Sequence, residues 1–110
     1  VQEMDLLAHS REVGNYIRDR LREAGDGKPQ LVEVRGKGQF TGAEFADTDE
    51  HTGKETVRAI QQDCYERGIL VWSAGRKSNV LRLIPPLVLT QRQATVGMDV
   101  ICEAIEQHAH

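Results

Sequence analysis

The chain has 110 residues, 39% of them hydrophobic and 28% charged, with a formal net charge of −3; that balance suits one globular domain with a modest core. Nothing in it points to nucleic acid, whose phosphates call for clustered Lys and Arg. It also does not point to a membrane, because no apolar run approaches the ~20 residues of a spanning helix, and the acidic opening Val1-Gln2-Glu3-Met4-Asp5 is unlike a secretory signal.

Residues 3–24 place Leu6, Leu7, Val13, Ile17 and Leu21 at helical spacing, with Arg and Glu opposite. Gly25 to Pro29 breaks that helix. Leu31 to Arg35 reads as a strand, Gly36-Lys37-Gly38 as a tight turn, and Phe40 to Phe45 as a second strand, so a hairpin is expected. After a polar loop over 46–53, Thr52 and Glu55 have capping-box spacing. The helix that follows carries Val57, Ile60 and Cys64 on one face and ends at Gly68. Ile69 to Trp72 reads as a strand, Gly75 to Asn79 as a turn, and Val80 to Ile84 as a strand stopped by Pro85 and Pro86, which cannot donate to a ladder. Thr90 to Gln93 repeats the capping-box pattern before a last helix that turns Gly97, Val100, Ile101, Ala104 and Ile105 inward; the terminal His-Ala-His is expected to fray. The order is α-β-β-α-β-β-α. Short connections favour antiparallel pairing, giving an α+β domain over residues 1–110 with helices on one face of a small, mostly antiparallel sheet.

Few residues suggest chemistry on their own. Cys64 and Cys102 lack C-x-x-C spacing and read as buried reduced thiols, consistent with the cytoplasm. His9, His51, His108 and His110 lack ligand spacing for zinc, and Asp47, Asp49 and Glu50 do not fit a calcium loop, so no metal is expected. Gly36-Lys37-Gly38 lacks the length and downstream Ser/Thr of a phosphate loop. Phe40 and Phe45 fall on opposite faces of a regular strand, which disfavours base stacking. Trp72, the single tryptophan, reads as core or interface. Arg82 stands out because it interrupts an apolar strand. Alternation puts it with Val80 and Ile84, opposite Leu81 and Leu83. A guanidinium there must be solvated, paired within the fold, or matched to a ligand carboxylate, and the pattern leaves these open.

Four segments, in order, resemble class III aminotransferases: Val13 to Leu21 (the family's G-x-x-(L/I)-R-x-x-L helix), Val34-Arg35-Gly36-Lys37-Gly38 (V-R-G-x-G), Cys64 to Leu70 (a helix-to-strand step), and Asn79-Val80-Leu81-Arg82-Leu83-Ile84-Pro85-Pro86-Leu87 (N-V-(L/I)-R-x-x-P-P-L). The chain departs at Gln39-Phe40, where the family usually has Leu-Met, and at Thr41, where a bulkier residue is common. The resemblance is to the C-terminal small domain. It implies a parent enzyme that uses pyridoxal phosphate, bound as a Schiff base by a lysine of a large domain, to move an amino group from an amino acid to a 2-oxo acid. None of Lys28, Lys37, Lys54 and Lys77 has the Schiff-base context, so no catalytic or cofactor-binding residue is expected in this chain, which alone would be inactive. The resemblance assigns Arg82 to the substrate carboxylate, with Pro85 and Pro86 fixing the chain direction after it. It further implies the large domain as partner, a cytoplasmic homodimer, and an amino donor that could be an ω-amino acid such as 4-aminobutyrate. The alternatives are a free-standing module that binds a small amino or carboxylic acid without catalysis, and a split enzyme. The start at Val1 rather than Met fits a processed chain or a piece of a longer one.

Overall fold

Apolar residues three and four apart on one stripe define the first element, α1 (Glu3–Gly25), which buries Val13, Ile17, Leu21 and Ala24. The computed structural model describes residues 3–37, 40–83 and 91–109, with side chains except at 3–7, 10, 37, 40 and 91. Strands β1 (Leu31–Lys37) and β2 (Phe40–Phe45) pair antiparallel, and Lys37 opposite Phe40 closes the expected hairpin. Gly36 and Lys37, read as turn, belong to the strand because the ladder continues through Gly36–Thr41; Gly38 and Gln39 lie outside the described residues.

Helix α2 (Gly53–Glu66) begins at the capping box read from the sequence. Thr52 Oγ1 accepts from the Glu55 N–H at 3.1 Å, and the Glu55 carboxylate accepts from the Thr52 N–H at 3.1 Å. Gly53 lets the helix start against the end of β2: a Cβ there would meet the Phe45 carbonyl oxygen and the Asn79 side chain. At the other end Gly68 takes φ +85°, and the Ile69 and Gly68 N–H groups donate to the Cys64 and Tyr65 carbonyls, a Schellman closure. Val57, Ile60 and Cys64 are fully buried, as their spacing predicts.

That closure corrects one expected strand. Ile69 is still tied to the helix end, so Ile69 to Val71 join no ladder, and β3 is Trp72–Ala74. Leu70 and Trp72 are 66% and 55% exposed, so an apolar run here does not mean burial. Strand β4 (Val80–Leu83) pairs with β3 on one side and β2 on the other, giving the antiparallel order β1-β2-β4-β3. Ile84 to Leu87, including both prolines, and the second capping-box position Thr90 lie outside the described residues.

Helices α1 and α2 lie on the sheet, α1 against β1 and β2, and α2 against β2, β3 and β4. Helix α3 (Gln91–His108) packs against both of those helices. Its Ala94, Met98, Ile101, Ala104 and Ile105 join the same core as Phe45, Leu81 and Leu83 from the sheet. Polar links rivet it in place: Arg20 to Asp99 at 2.7 Å, Arg67 to Glu103 at 2.6 Å and His108 to Asp63 at 3.3 Å. The tail therefore does not fray as expected up to residue 109: Ala109 is fully buried and its N–H donates to the Ile105 carbonyl at 2.8 Å.

Two outcomes follow from this packing. Thr52→Ala should lower stability by about 1 kcal/mol, read as a urea-midpoint shift, with hydrogen exchange accelerated at the start of α2. The Glu55 carboxyl is held below its usual value by the backbone and then the side chain of Thr52. That stabilisation is full above the unfolded carboxyl value of roughly 4.3 and fades as pH falls through the lower folded value; alanine keeps the Thr52 N–H, so only the part of the deficit that the hydroxyl supplies to the carboxylate should shrink in acid. Burial pushes the Cys64 thiol up to about 11 and raises Cys102 as well. An aromatic disulfide reagent at pH 8 should therefore leave both thiols unmodified in the folded chain and react with both after unfolding; prompt reaction of Cys64 in the folded state would contradict this packing.

Candidate functional site

The short strand β4 sorts its side chains by alternation. Leu81 and Leu83 are buried beneath the helices, which sends Arg82 to the opposite, helix-free face, where it is exposed. The start of the strand is clasped to the end of β2: the Phe45 N–H donates to the Asn79 carbonyl at 2.9 Å, and Asn79 Nδ2 donates to the Phe45 carbonyl at 2.9 Å. This clasp accounts for Asn79, a motif position whose role the sequence did not reveal.

Register then lays one row across the helix-free face. Arg35 of β1 is opposite Gly42 of β2, Gly42 is opposite Arg82 of β4, and Arg82 is opposite Trp72 of β3. The two arginines differ in state. Arg35 donates to Glu33 at 3.0 Å and Glu44 at 3.2 Å, and these carboxylates, Glu44 foremost, raise its pKa further. Arg82 makes no ion pair or hydrogen bond among the described residues. A shallow cavity of about 250 Å³ lies between them, lined by Arg35, Gly42, Ala74, Val80 and Arg82. It offers an apolar floor, one guanidinium already neutralised and one available to an anion. The available one carries five donors in a planar fork that suits a carboxylate.

Beneath this row lies a residue that sequence reasoning passed over. Arg18 of α1 is buried, 7% exposed, and donates to Thr41 Oγ1 at 3.2 Å and Asn15 Oδ1 at 2.9 Å. Thr41 is paired with Leu83, so Arg18 braces the sheet where β4 ends. Its signal was present: Arg18 falls on the stripe of Gly14, Ile17 and Leu21, where a charge must find partners.

The other candidates do not converge on the row. His51 is 3.8 Å from Glu55, and His108 is paired with Asp63. Asp47 accepts from the Gly53 N–H at 2.7 Å, at the start of α2. Among the described residues no three His, Cys, Asp or Glu side chains group as metal ligands. Phe45 is fully buried, which removes it as a stacking surface.

The sequence and structural comparisons bear on what this arrangement serves. The profile of the class-III aminotransferases matches residues 1–105. The chain belongs to that family. It is 34% identical over 106 residues to an alanine/serine racemase of Pyrococcus horikoshii, covering 96% of this chain and 22% of that protein. It is 36% identical over 104 residues to an acetylornithine aminotransferase of Methanosarcina acetivorans, covering 94% and 23%. Among solved structures, a phospholyase from Arthrobacter in complex with phosphoethanolamine superposes with a TM-score of 0.82 at 28% identity, over 94% of this chain and 25% of that one. The ornithine aminotransferase from Toxoplasma gondii gives 0.79 at 26% identity, over 96% and 24%. The chain thus spans about a quarter of the length of these relatives.

Class III aminotransferases depend on pyridoxal phosphate. The described residues do not fit that group. A lysine joined to the cofactor needs an enclosed pocket, whereas Lys54 and Lys77 are exposed, in the first turn of α2 and the β3–β4 turn, and Lys28 sits in the turn after α1. No step of the chemistry is therefore routed through Lys28, Lys54 or Lys77.

Proposed function

We propose that residues 1–110 form the carboxylate-gripping small domain of a pyridoxal-phosphate-dependent class III enzyme. In that enzyme a large domain, absent from this chain, holds the cofactor. The observation that carries this reading is the state of Arg82: exposed on the helix-free face, beside a groove, without a carboxylate partner among the described residues, while Arg35 in the same row is neutralised twice over. Leaving a guanidinium open gives the fold nothing, but a bidentate site for an amino acid or 2-oxo acid needs one. The role of the chain is binding and orientation, so alone it has no activity.

The reaction we assign to the whole enzyme is amino transfer from an amino acid to a 2-oxo acid, in line with the acetylornithine and diaminobutyrate aminotransferases among its relatives. An ω-amino donor of the 4-aminobutyrate kind, a homodimer and a cytoplasmic setting complete the proposal. No helix among the described residues is long and apolar enough to cross a membrane.

A second reading has specific support. Two of the relatives are amino-acid racemases, one acting on alanine and serine and one on leucine and methionine. A racemase would use the same carboxylate grip and consume no 2-oxo acid. Following oxo-acid consumption beside loss of optical rotation, with alanine and 2-oxoglutarate supplied together, separates the two.

Arg82→Ala in the enzyme that contains this chain should raise KM for carboxylate substrates by about 100-fold or more, with the melting temperature nearly unchanged because Arg82 makes no hydrogen bond or ion pair among the described residues. Unaltered kinetics on carboxylate substrates would overturn the assignment.

A further inference from the structure

The row across the sheet gives Arg82 two unlike neighbours. On the β3 side stands Trp72, the largest side chain available, and on the β2 side stands Gly42, with none. Adjacent strands are about 4.8 Å apart, so both flank the arginine directly. The cavity runs from Arg35 of β1 over Gly42 of β2 and Val80 of β4 to Ala74 of β3, and Trp72 does not line it. Its volume of about 250 Å³ is just below the range of small-molecule pockets, roughly 300 Å³ upward. Its depth comes from the missing side chain. A Cβ at position 42 would lie 3.2 Å from Val80 Cγ1 and project from the floor of the groove beside the guanidinium.

We infer that Gly42 is a specificity-determining residue, whose missing side chain lets the aliphatic body of a linear carboxylate lie over β2 while its carboxylate meets Arg82. This rests on the proposed role of Arg82. The ligand class is a short, unbranched mono- or dicarboxylate. At the far end of the groove Arg35 is engaged by Glu33 and Glu44, so that end gives no second free cation, and the fit there is one of shape. Trp72, opposite Arg82 on β3, stands outside the lining, so the floor nearest the guanidinium is the bare backbone of Gly42.

The test is the dissociation constant of acetate and of glutarate, measured by calorimetry on the enzyme that contains this chain, for wild type, Gly42→Ala, Gly42→Val and Arg82→Ala. Acetate needs only the guanidinium, whereas glutarate also needs the groove. Gly42→Val should weaken glutarate by about 10-fold or more relative to acetate, the usual effect of a side chain intruding on an apolar subsite. Gly42→Ala should shift the ratio the same way but less, since its methyl requires Val80 to yield by only a few tenths of an ångström; it carries the test if the valine variant does not fold. Equal weakening of both acids, or of neither, would overturn the role of Gly42 while leaving that of Arg82 in place. If Arg82→Ala binds both acids as the wild type does, the functional reading itself fails, and this inference fails with it.

Discussion

The structure hangs on the period-two alternation of one four-residue strand. Leu81 and Leu83 must be buried in the core, on the face that α2 covers, and the pleat then leaves Arg82 no choice of side. A slip of one residue would bury the guanidinium and expose both leucines, a reversal that costs apolar burial and leaves a charge without water. The Asn79–Phe45 clasp pins β4 against β2 where such a slip would begin. The cavity, the arginine and the neighbours of each are consequences of that register.

Two arginines on one face illustrate how surroundings rather than residue type decide a role. Arg35 and Arg82 share a row and a sheet face, yet one is engaged by two glutamates and the other by nothing among the described residues. Both fall in motifs of the class III aminotransferase family, to which the chain belongs. Membership alone does not separate them; the cross-strand position of Glu44, beside Arg35 on the outer strand pair, does.

Most of the architecture was legible in the sequence because its signals are local. The Thr52–Glu55 box, the glycine ending α2, the α2 stripe and the alternation of Leu81, Arg82 and Leu83 all act within a few residues and are found, whereas α3 buries Ala94 and Met98 in place of Gly97, beside which a side chain would meet only open space. What escaped depends on partners distant in the chain. Ile69 to Val71 look like a strand, but the Schellman closure holds Ile69 to the preceding helix, and only Trp72 onward meets β4. The terminal residues look like a tail, but Asp63, 45 positions earlier, receives His108. For the site, the face of Arg82 was readable from the pattern, whereas its lack of a partner was not, since that required knowing that Glu44 turns to Arg35. The burial of the arginine at position 18 was readable from its place on the α1 stripe, but its partner was not, because Thr41 becomes its neighbour only once the hairpin packs on α1.

Helix α3 packs its backbone against α1 and α2, and among the described residues only its side chains extend toward the core that the sheet shares. The core and the sheet thus separate its outward surface from the groove beside Arg82, and the β2–β4 ladder is made by the strands alone. That arrangement divides the domain into two zones with different freedom to diverge. Charges and side chains on the outer side of α3 can drift between relatives, or be recast to suit a neighbouring body, without retuning the groove, whereas any change within the four-strand row is felt there at once.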